Sequence, residues 1–380
     1  MKILVLGCGE MGTSAVKDLY YRSRFEKITV ATRNMEKAKK LLSTLKGKKP
    51  LLEGKKLDVT DRDQLRDSMK GHDIVVNCVG PNYKTEVLIA EAAIDSRVSL
   101  IDINDDYETT LEMLELDERA KEAGILIVLG LGASPGINNI FVRAAADQLD
   151  DVEQIQTAWV MSGADPGGLA LSYHLLYSLS GKALTHENGG FVEVESFVDG
   201  KERLEFPQPV GPLDVYHVGH PEPITLSRYF KGAKTVNDKA TFHPPFVNDL
   251  IRDLGKLVRD MDDSVAVGKK TVPVMDFAAA YFHKRCKSLK GVRKEGALRA
   301  AVKGKRKGKK KTIIYSSSGL ISDGTGIPAS IGAQMFMEGK IKGLGVEAPE
   351  GCVDWREFLK IIISRGIGRL DIKEIEHEEP

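Results

Sequence analysis

Cysteine is scarce and scattered. Cys8, Cys78, Cys286 and Cys352 stand far apart and form no Cys-x-x-Cys pair. That argues against a structural zinc site, so no metal is expected, and it offers no disulfide framework, so a reducing cytoplasm is the expected setting. Long apolar runs are missing too: none approaches the ~20 residues needed to span a bilayer. The chain enters its first strand at once, which leaves no room for a signal peptide. An excess of one charge is also absent. Lys and Arg number 55 against 54 Asp and Glu, a net charge of +1, so no global field argues for nucleic acid or a membrane as partner. What remains is a chain of 380 residues, 42% hydrophobic and 29% charged. That is the composition of a soluble globular protein long enough for two domains with substantial cores.

The first twelve residues organise the rest. The apolar run Ile3 to Leu6 is followed by Gly7, Cys8, Gly9, Glu10, Met11 and Gly12. A buried parallel strand that turns through Gly-x-Gly-x-x-Gly into a helix is the dinucleotide-binding arrangement. Gly7 permits the sharp turn, Gly9 lets a pyrophosphate approach the backbone, and Gly12 lets the helix pack on the sheet. The helix then presents its free N–H groups and positive dipole end to the phosphates. The second strand, Lys27 to Ala31, ends in Thr32, Arg33 and Asn34, where NAD-preferring proteins usually carry Asp or Glu. A hydroxyl and a guanidinium suit a 2′-phosphate, so NADP(H) is the expected cofactor and NAD(H) the alternative.

Strand and helix then alternate. A helix is expected over Met35 to Leu45, a polar loop over Lys46 to Lys49, a third strand at Leu57 to Thr60 and a helix over Asp61 to Met69. Asp58 and Val59 fall at a strand end within reach of an adenine. The fourth strand, Asp73 to Val79, ends in Gly80-Pro81, so Cys78, Val79, Gly80 and Pro81 are expected along the ribose and nicotinamide. A helix from Thr85, a strand at Val98 to Ile103, a helix over Thr109 to Ala123 and a strand at Ile125 to Leu129 complete a parallel sheet covered on both faces. Ser134 and Pro135 then read as the cap and first residue of a helix over Ile140 to Leu149. Its N-terminus, with Ser134, Gly136, Asn138 and Asn139, is a candidate anion site for a substrate carboxylate; the alternative is an ordinary capped helix.

From Val152 to about Lys311 the alternation is lost, and alternating strands suggest an α+β domain with a mostly antiparallel sheet. The basic stretch Ala301 to Lys311 lacks aromatics and reads as an exposed turn between two strands rather than a nucleic-acid patch. Two helices follow, from Thr325 and from Trp355, and the acidic tail from Glu374 is expected to fray. The fold class is thus α/β: an N-terminal doubly wound Rossmann sheet and a second α+β domain. The expected boundaries are 1–133 for the NADP-binding domain, 134–322 for the central domain, and 323–380 for helices that return to the first.

Four stretches together resemble the saccharopine dehydrogenase (saccharopine reductase) and lysine 6-dehydrogenase group. They are Gly7 to Gly12; Val75 to Pro81 with Tyr83; Asp117 to Gly124 running into Gly132 to Asn139; and Gly326 to Gln334 through Glu338 to Glu350. Val218 to Tyr229 also falls where lysine 6-dehydrogenases carry a Thr-Leu-Ser-Arg element. The resemblance implies reversible hydride transfer between a nicotinamide and a carbon bearing an amine, a central domain that closes the active site, and a homodimer. Saccharopine reductases reduce, with NADPH, an imine formed from an aldehyde and glutamate; lysine dehydrogenases oxidise the ε-amine carbon with NAD. A small amine or amino acid is therefore the expected substrate. A polyamine-type, carboxynorspermidine-like reductase is one alternative. Another is a redox-sensing regulator that binds NADP without turnover and uses Lys303 to Lys311 to contact an acidic partner.

Proton-transfer candidates in the first domain are Tyr83 and Asp102. Asp102 ends the fifth strand, where its carboxylate could hold an ammonium or serve as a loop acceptor. From the second domain His174 and His243 are candidates for proton exchange, and Arg228 for clamping a carboxylate. His220, in a Gly-His-Pro-Glu loop, is a weaker candidate.

Overall fold

The computed structural model describes residues 1–47, 50–258 and 260–377; Lys48 and Lys49 of the expected polar loop and the last three residues of the expected acidic tail lie outside the described residues. The chain divides into two compact units. The first comprises 1–140 and 322–367, the second 141–321 and 368–380.

The first unit begins with β1 (Lys2–Leu6), α1 (Glu10–Arg22), β2 (Lys27–Thr32), α2 (Met35–Thr44), β3 (Leu51–Lys56) and α3 (Arg62–Met69). It continues with β4 (Ile74–Asn77), α4 (Asn82–Ser96), β5 (Ser99–Asp102), α5 (Tyr107–Leu114), α6 (Asp117–Ala123), β6 (Leu126–Val128) and the start of α7 (Ile137–Ala146). The second unit holds β7 (Asp151–Ser162), α8 (Leu169–Ser178), β8 (Lys182–Glu187), β9 (Gly190–Glu195), β10 (Glu202–Leu204), β11 (Leu213–His217), α9 (Glu222–Tyr229) and β12 (Thr235–His243). Then come α10 (Phe246–Leu257), β13 (Ser264–Val267), β14 (Lys270–Pro273), α11 (Val274–Lys287), β15 (Gly296–Arg306) and β16 (Lys309–Gly319). The chain returns to the first unit with α12 (Ile321–Met337), β17 (Gly345–Glu347), α13 (Pro349–Cys352) and α14 (Trp355–Ser364), and ends in the second with β18 (Asp371–Glu376).

The first sheet has seven parallel strands in the order β17-β6-β5-β4-β1-β2-β3. Its central strands read as continuous apolar runs because helices cover both faces: Ile3, Leu4, Val5 and Leu6 are all fully buried. The starts of α2 and α3 carry side-chain caps, with Asn34 Oδ1 accepting from the Lys37 N–H and Asp61 Oδ1 from the Gln64 N–H. The expected strand at Leu57 to Thr60 is instead a turn. Asp58 Oδ1 holds the Thr60 N–H at 3.1 Å and its hydroxyl at 2.8 Å, and the third strand lies before it, at 51–56. β3 is the sheet edge and half exposed, so it carries no apolar run to announce it. The expected helix over Thr109 to Ala123 is two helices, α5 and α6, separated at Glu115 and Leu116.

The second unit is built on a nine-stranded sheet, β10-β11-β12-β7-β15-β16-β18, with β8 on β12 and β9 on β8. Its pairing is mostly antiparallel. Among the described residues β7 and β12 form its one parallel pair, nine residues in register from Thr235 opposite Gln154 to His243 opposite Ser162. α8, α10 and α11 cover one face through Leu175, Leu176, Val247, Ile251, Ala278 and Phe282. The basic stretch lies mostly in strands, with Lys307 and Gly308 at the turn, and the expected frayed tail is β18, paired with β16. Lys309 Nζ lies 2.6 Å from Glu376, and Lys311 Nζ 2.5 Å from Glu374.

Candidate functional site

The glycine loop has the geometry a dinucleotide requires. Gly7 adopts φ +92°, and a Cβ there would lie 2.7 Å from the Cys78 carbonyl oxygen, so the turn admits only glycine. A Cβ on Gly12 would strike the Gly7 carbonyl oxygen, so this glycine sets how tightly α1 packs on the strand end. Nothing lies within 4 Å of the Cβ position on Gly9. That open space above the N-terminus of α1 is where a pyrophosphate meets the backbone, so the residues fit a dinucleotide. Glu10 and Met11 form the first turn of the helix.

At the end of β2 the Thr32 hydroxyl accepts the Asn34 N–H at 3.2 Å, while Arg33 is exposed. Asp58 is held below the usual carboxylate range by the Thr60 N–H and hydroxyl, and less strongly by the Arg33 charge. Arg33 and the Asp58-Val59 turn are therefore neighbours. Lys37, which no motif in the sequence marks, acts on Cys8 in the glycine loop and adds positive charge on this side.

The other half of the crevice is formed by β4, β5 and their following loops. The Asn77 Oδ1 accepts the Val79 N–H at 3.0 Å and shapes the segment Cys78-Val79-Gly80-Pro81. Asn77 Nδ2 donates to Glu86 Oε2 at 2.7 Å. Tyr83 donates its main-chain N–H to Asp106 at 2.7 Å. Asp102 lies at the strand end as expected, but it is fully buried, and its Oδ1 accepts main-chain N–H groups of Asn104 at 2.8 Å and Gly130 at 2.6 Å.

The segment Ser134 to Asn139 corrects the expected anion site. The helix starts at Ile137, not at Pro135. The Gly136 N–H donates to Asn139 Oδ1 at 3.0 Å, the Ile137 N–H to Gly132 and the Asn138 N–H to Ala133. Asn138 Nδ2 donates to Ser134 Oγ, and Asn139 Nδ2 to Glu350 Oε2 at 3.0 Å. These amides serve the turn itself, which removes the main-chain donors a carboxylate would need.

The second unit brings together a different set from the one expected. His220 Nδ1 lies 3.2 Å from Glu222 Oε2 and 3.6 Å from Asp238 Oδ2. Trp159 Nε1 donates to Asp238 Oδ2 at 3.0 Å, and its ring lies 5.1 Å from that of His220. The His174 ring is 5.6 Å from the His220 ring. All five side chains are buried, Glu222 completely. Burial, then the charge of Glu222, pushes Asp238 up to about 8. The apposed ligand atoms of His220, Glu222 and Asp238 could also hold a metal ion. Of the expected candidates His174 and the weaker one, His220, belong to this cluster. Arg228 is exposed in the last turn of α9, and His243 is half-buried at the end of β12, its ring held below the usual range by burial and by Arg293. His220 and Glu222 were legible as a His-Pro-Glu triplet. Asp238 was not, because a lone acid in a polar strand reads as solvated.

Comparison with known proteins places these features. Residues 3–128 match the family description "Saccharopine dehydrogenase NADP binding domain" and residues 132–367 match "Saccharopine dehydrogenase C-terminal domain". The carboxynorspermidine synthase of Vibrio cholerae is 25% identical over 100% of this chain and 99% of its own length. The carboxyaminopropylagmatine dehydrogenase of Synechocystis is 22% identical over 91% of each chain. The apo saccharopine dehydrogenase (L-Glu forming) of Saccharomyces cerevisiae shares the fold with a TM-score of 0.72 at 16% identity, covering 98% of this chain and 99% of its own. A glycine cradle shaped for a dinucleotide and two family matches that run through both units lead to one conclusion: the chain belongs to the saccharopine dehydrogenase family of NAD(P)-dependent oxidoreductases and binds NADP(H).

Proposed function

We propose that this protein is an NADPH-dependent reductase that converts an imine into a carboxyl-bearing secondary amine of the polyamine type. The observation that carries the reading is the buried cluster of Glu222, Asp238, His220 and Trp159 in the second unit. Two carboxyl groups, whose ionised form a nearby cation favours, and an indole ring suit a protonated amine better than a second carboxylate. In sequence, the carboxynorspermidine synthase aligns along the full length, whereas two curated saccharopine dehydrogenases align over 39% and 54% of this chain. NADPH would supply the hydride. The protein's part is to hold the cofactor on the Gly7–Gly12 loop, to select the 2′-phosphate with Thr32 and Arg33, and to hold the amine among acidic side chains. A saccharopine-type reaction, with glutamate as the amine, is the second reading; it rests on the same NADP-binding loop. The regulator reading loses part of its motive, because Lys309 and Lys311 are paired with Glu374 and Glu376, and the family is one of dehydrogenases.

The test is NADPH oxidation, followed by absorbance, with amino-acid-derived aldehydes each paired with a diamine, with glutamate or with ammonia. Turnover with diamines is expected. Turnover with glutamate alone would move the assignment to the saccharopine type, and no oxidation with any pair would end both readings.

A further inference from the structure

The first unit buries two carboxyl groups beneath the crevice. Asp102 is 0% and Glu86 1% exposed. Asp102 is the last residue of β5 and pairs in register with Asn77, the last residue of β4. Glu86, on α4, accepts the Asn77 side-chain amide at 2.7 Å, so a single asparagine links the two acids. Each keeps one carboxyl oxygen with no hydrogen-bond partner among the described residues: Glu86 Oε1 and Asp102 Oδ2. The other oxygen of Asp102 already receives two main-chain N–H groups, so a proton on this carboxyl belongs on Oδ2. The ionisable groups Glu86 feels most strongly, Asp102, Asp106 and Asp105, are all acidic, and the Cys78 thiol is pushed up to about 12 by burial, then by Glu86 and Asp102. Two like charges in a dry interior cannot both persist, and one carboxyl keeps its proton.

The sheet order gives the pair its relation to the cofactor. The chain runs from β1 outward to β2 and β3, then crosses back to β4 and β5 on the other side. A dinucleotide lies across that reversal, with the adenosine half toward β2 and the nicotinamide half toward β4 and β5. The two oxidation states of the nicotinamide differ by one positive charge. A cation beside a proton-sharing carboxyl pair favours its ionised form, and a neutral ring does not.

We propose that Glu86 and Asp102 share one proton beneath the nicotinamide half of the cofactor, released when the oxidised ring binds and retained when the reduced ring binds. The pair thereby makes the preference between NADP⁺ and NADPH depend on pH. Burial pushes Asp102 up to about 7 against the pull of its two N–H bonds, which sets the balance at neutral pH. Glu86 is raised well above the usual carboxylate range, first by burial and then by Asp102. The inference depends on NADP(H) binding and not on the identity of the substrate.

Calorimetric titration tests it without turnover. NADP⁺ and NADPH are titrated into the full chain near neutral pH in phosphate and in Tris, whose ionisation heats differ, so the heat difference counts protons. The 2′-phosphate is common to both ligands, and its own titration cancels. Greater proton release is expected with NADP⁺. The ratio of the NADP⁺ to the NADPH dissociation constant should fall with rising pH, by at most about tenfold per pH unit for one linked proton. Glu86→Gln keeps an oxygen for the Asn77 amide and Asp102→Asn one for the Asn104 and Gly130 N–H groups; the double variant leaves the pair no proton to release and should remove both the excess release and the slope. Equal release for the two cofactors would overturn the proposal, as would an unchanged excess in a double variant that still binds NADPH. If the double variant fails to fold, the wild-type difference between the two cofactors decides the matter.

Discussion

At the scale of single residues, the proposed cofactor selection rests on a side chain with little structural duty. Arg33 is exposed at the end of β2, beside the turn that Asp58 builds with Thr60. Arg33→Ala should therefore leave the fold intact and cost a charge-assisted bond to the 2′-phosphate, about 1.5–3 kcal/mol of NADP(H) affinity. NAD(H) binding should barely change, and fluorescence titration with both reduced cofactors reads the difference. An equal loss for both would remove Arg33 from the 2′-phosphate. Some residues of this kind are legible in a sequence because their chemistry restricts the residue type. Gly7 needs φ +92°, and Gly12 must clear a carbonyl. Others are silent. Glu86 sits among Thr85, Val87 and Leu88 in a helix, where an acid normally faces water; nothing local reveals that this one is buried. The amides of 136–138 mislead in the opposite sense, since a Ser-Pro-Gly start looks open to an anion while the turn satisfies its own donors.

At the scale of elements, the first-unit helices that flank the cofactor loop depend on residues far away in sequence. Gly326 of α12 meets α1 so closely that a Cβ would lie 2.2 Å from the Met11 carbonyl oxygen and 3.0 Å from the Ala15 nitrogen. Further along the pair, Ser330 and Gln334 donate to Asp18 Oδ2 at 2.7 and 3.0 Å, and Arg365 pairs with Oδ1 at 2.8 Å. Gly326→Val should force the helices apart and destabilise the unit by roughly 1–3 kcal/mol, seen as a lower urea midpoint. NADPH affinity should fall with it, because Met11 belongs to the first turn under the phosphates. Unchanged affinity in the folded variant would mean that α1 is positioned by its own sheet alone. The periodic, apolar elements were legible: β1, β2, β4, α1 and α4 lie within a few residues of their expected places. Edge strands were not. β3, β17 and β18 are short or half exposed, and what makes them strands is a partner distant in sequence. β18 in particular is drawn onto β16 by Glu374 and Glu376 meeting Arg306, Lys309 and Lys311.

At the scale of the whole molecule, buried acids set the response to pH. Asp238 is pushed from its ordinary 3.8 up to about 8, chiefly by burial. Between those values the native state holds a proton that the unfolded chain has released. Its stabilising contribution is full at the acid end and lost as pH rises to about 8. The thermal midpoint should therefore decline from about pH 5 to about pH 8 by several degrees, at roughly 2–4 °C per kcal/mol for a domain of this size. Asp238→Asn should flatten part of that decline, and a slope identical to wild type would show that Asp238 ionises freely. Glu374 and Glu376 work in the other sense, since they are held below their ordinary range by their lysine and arginine partners and lose that contribution only in more acid solution. The path of the chain has a further consequence, for synthesis. It leaves the first unit at 140, returns at 322 and leaves again at 367, contributing β17 to one sheet and β18 to the other. A ribosome that has made residues up to 340 has delivered neither sheet whole. Both units wait for the final stretch to emerge, and until then each exposes a strand edge that its own last strand will cover.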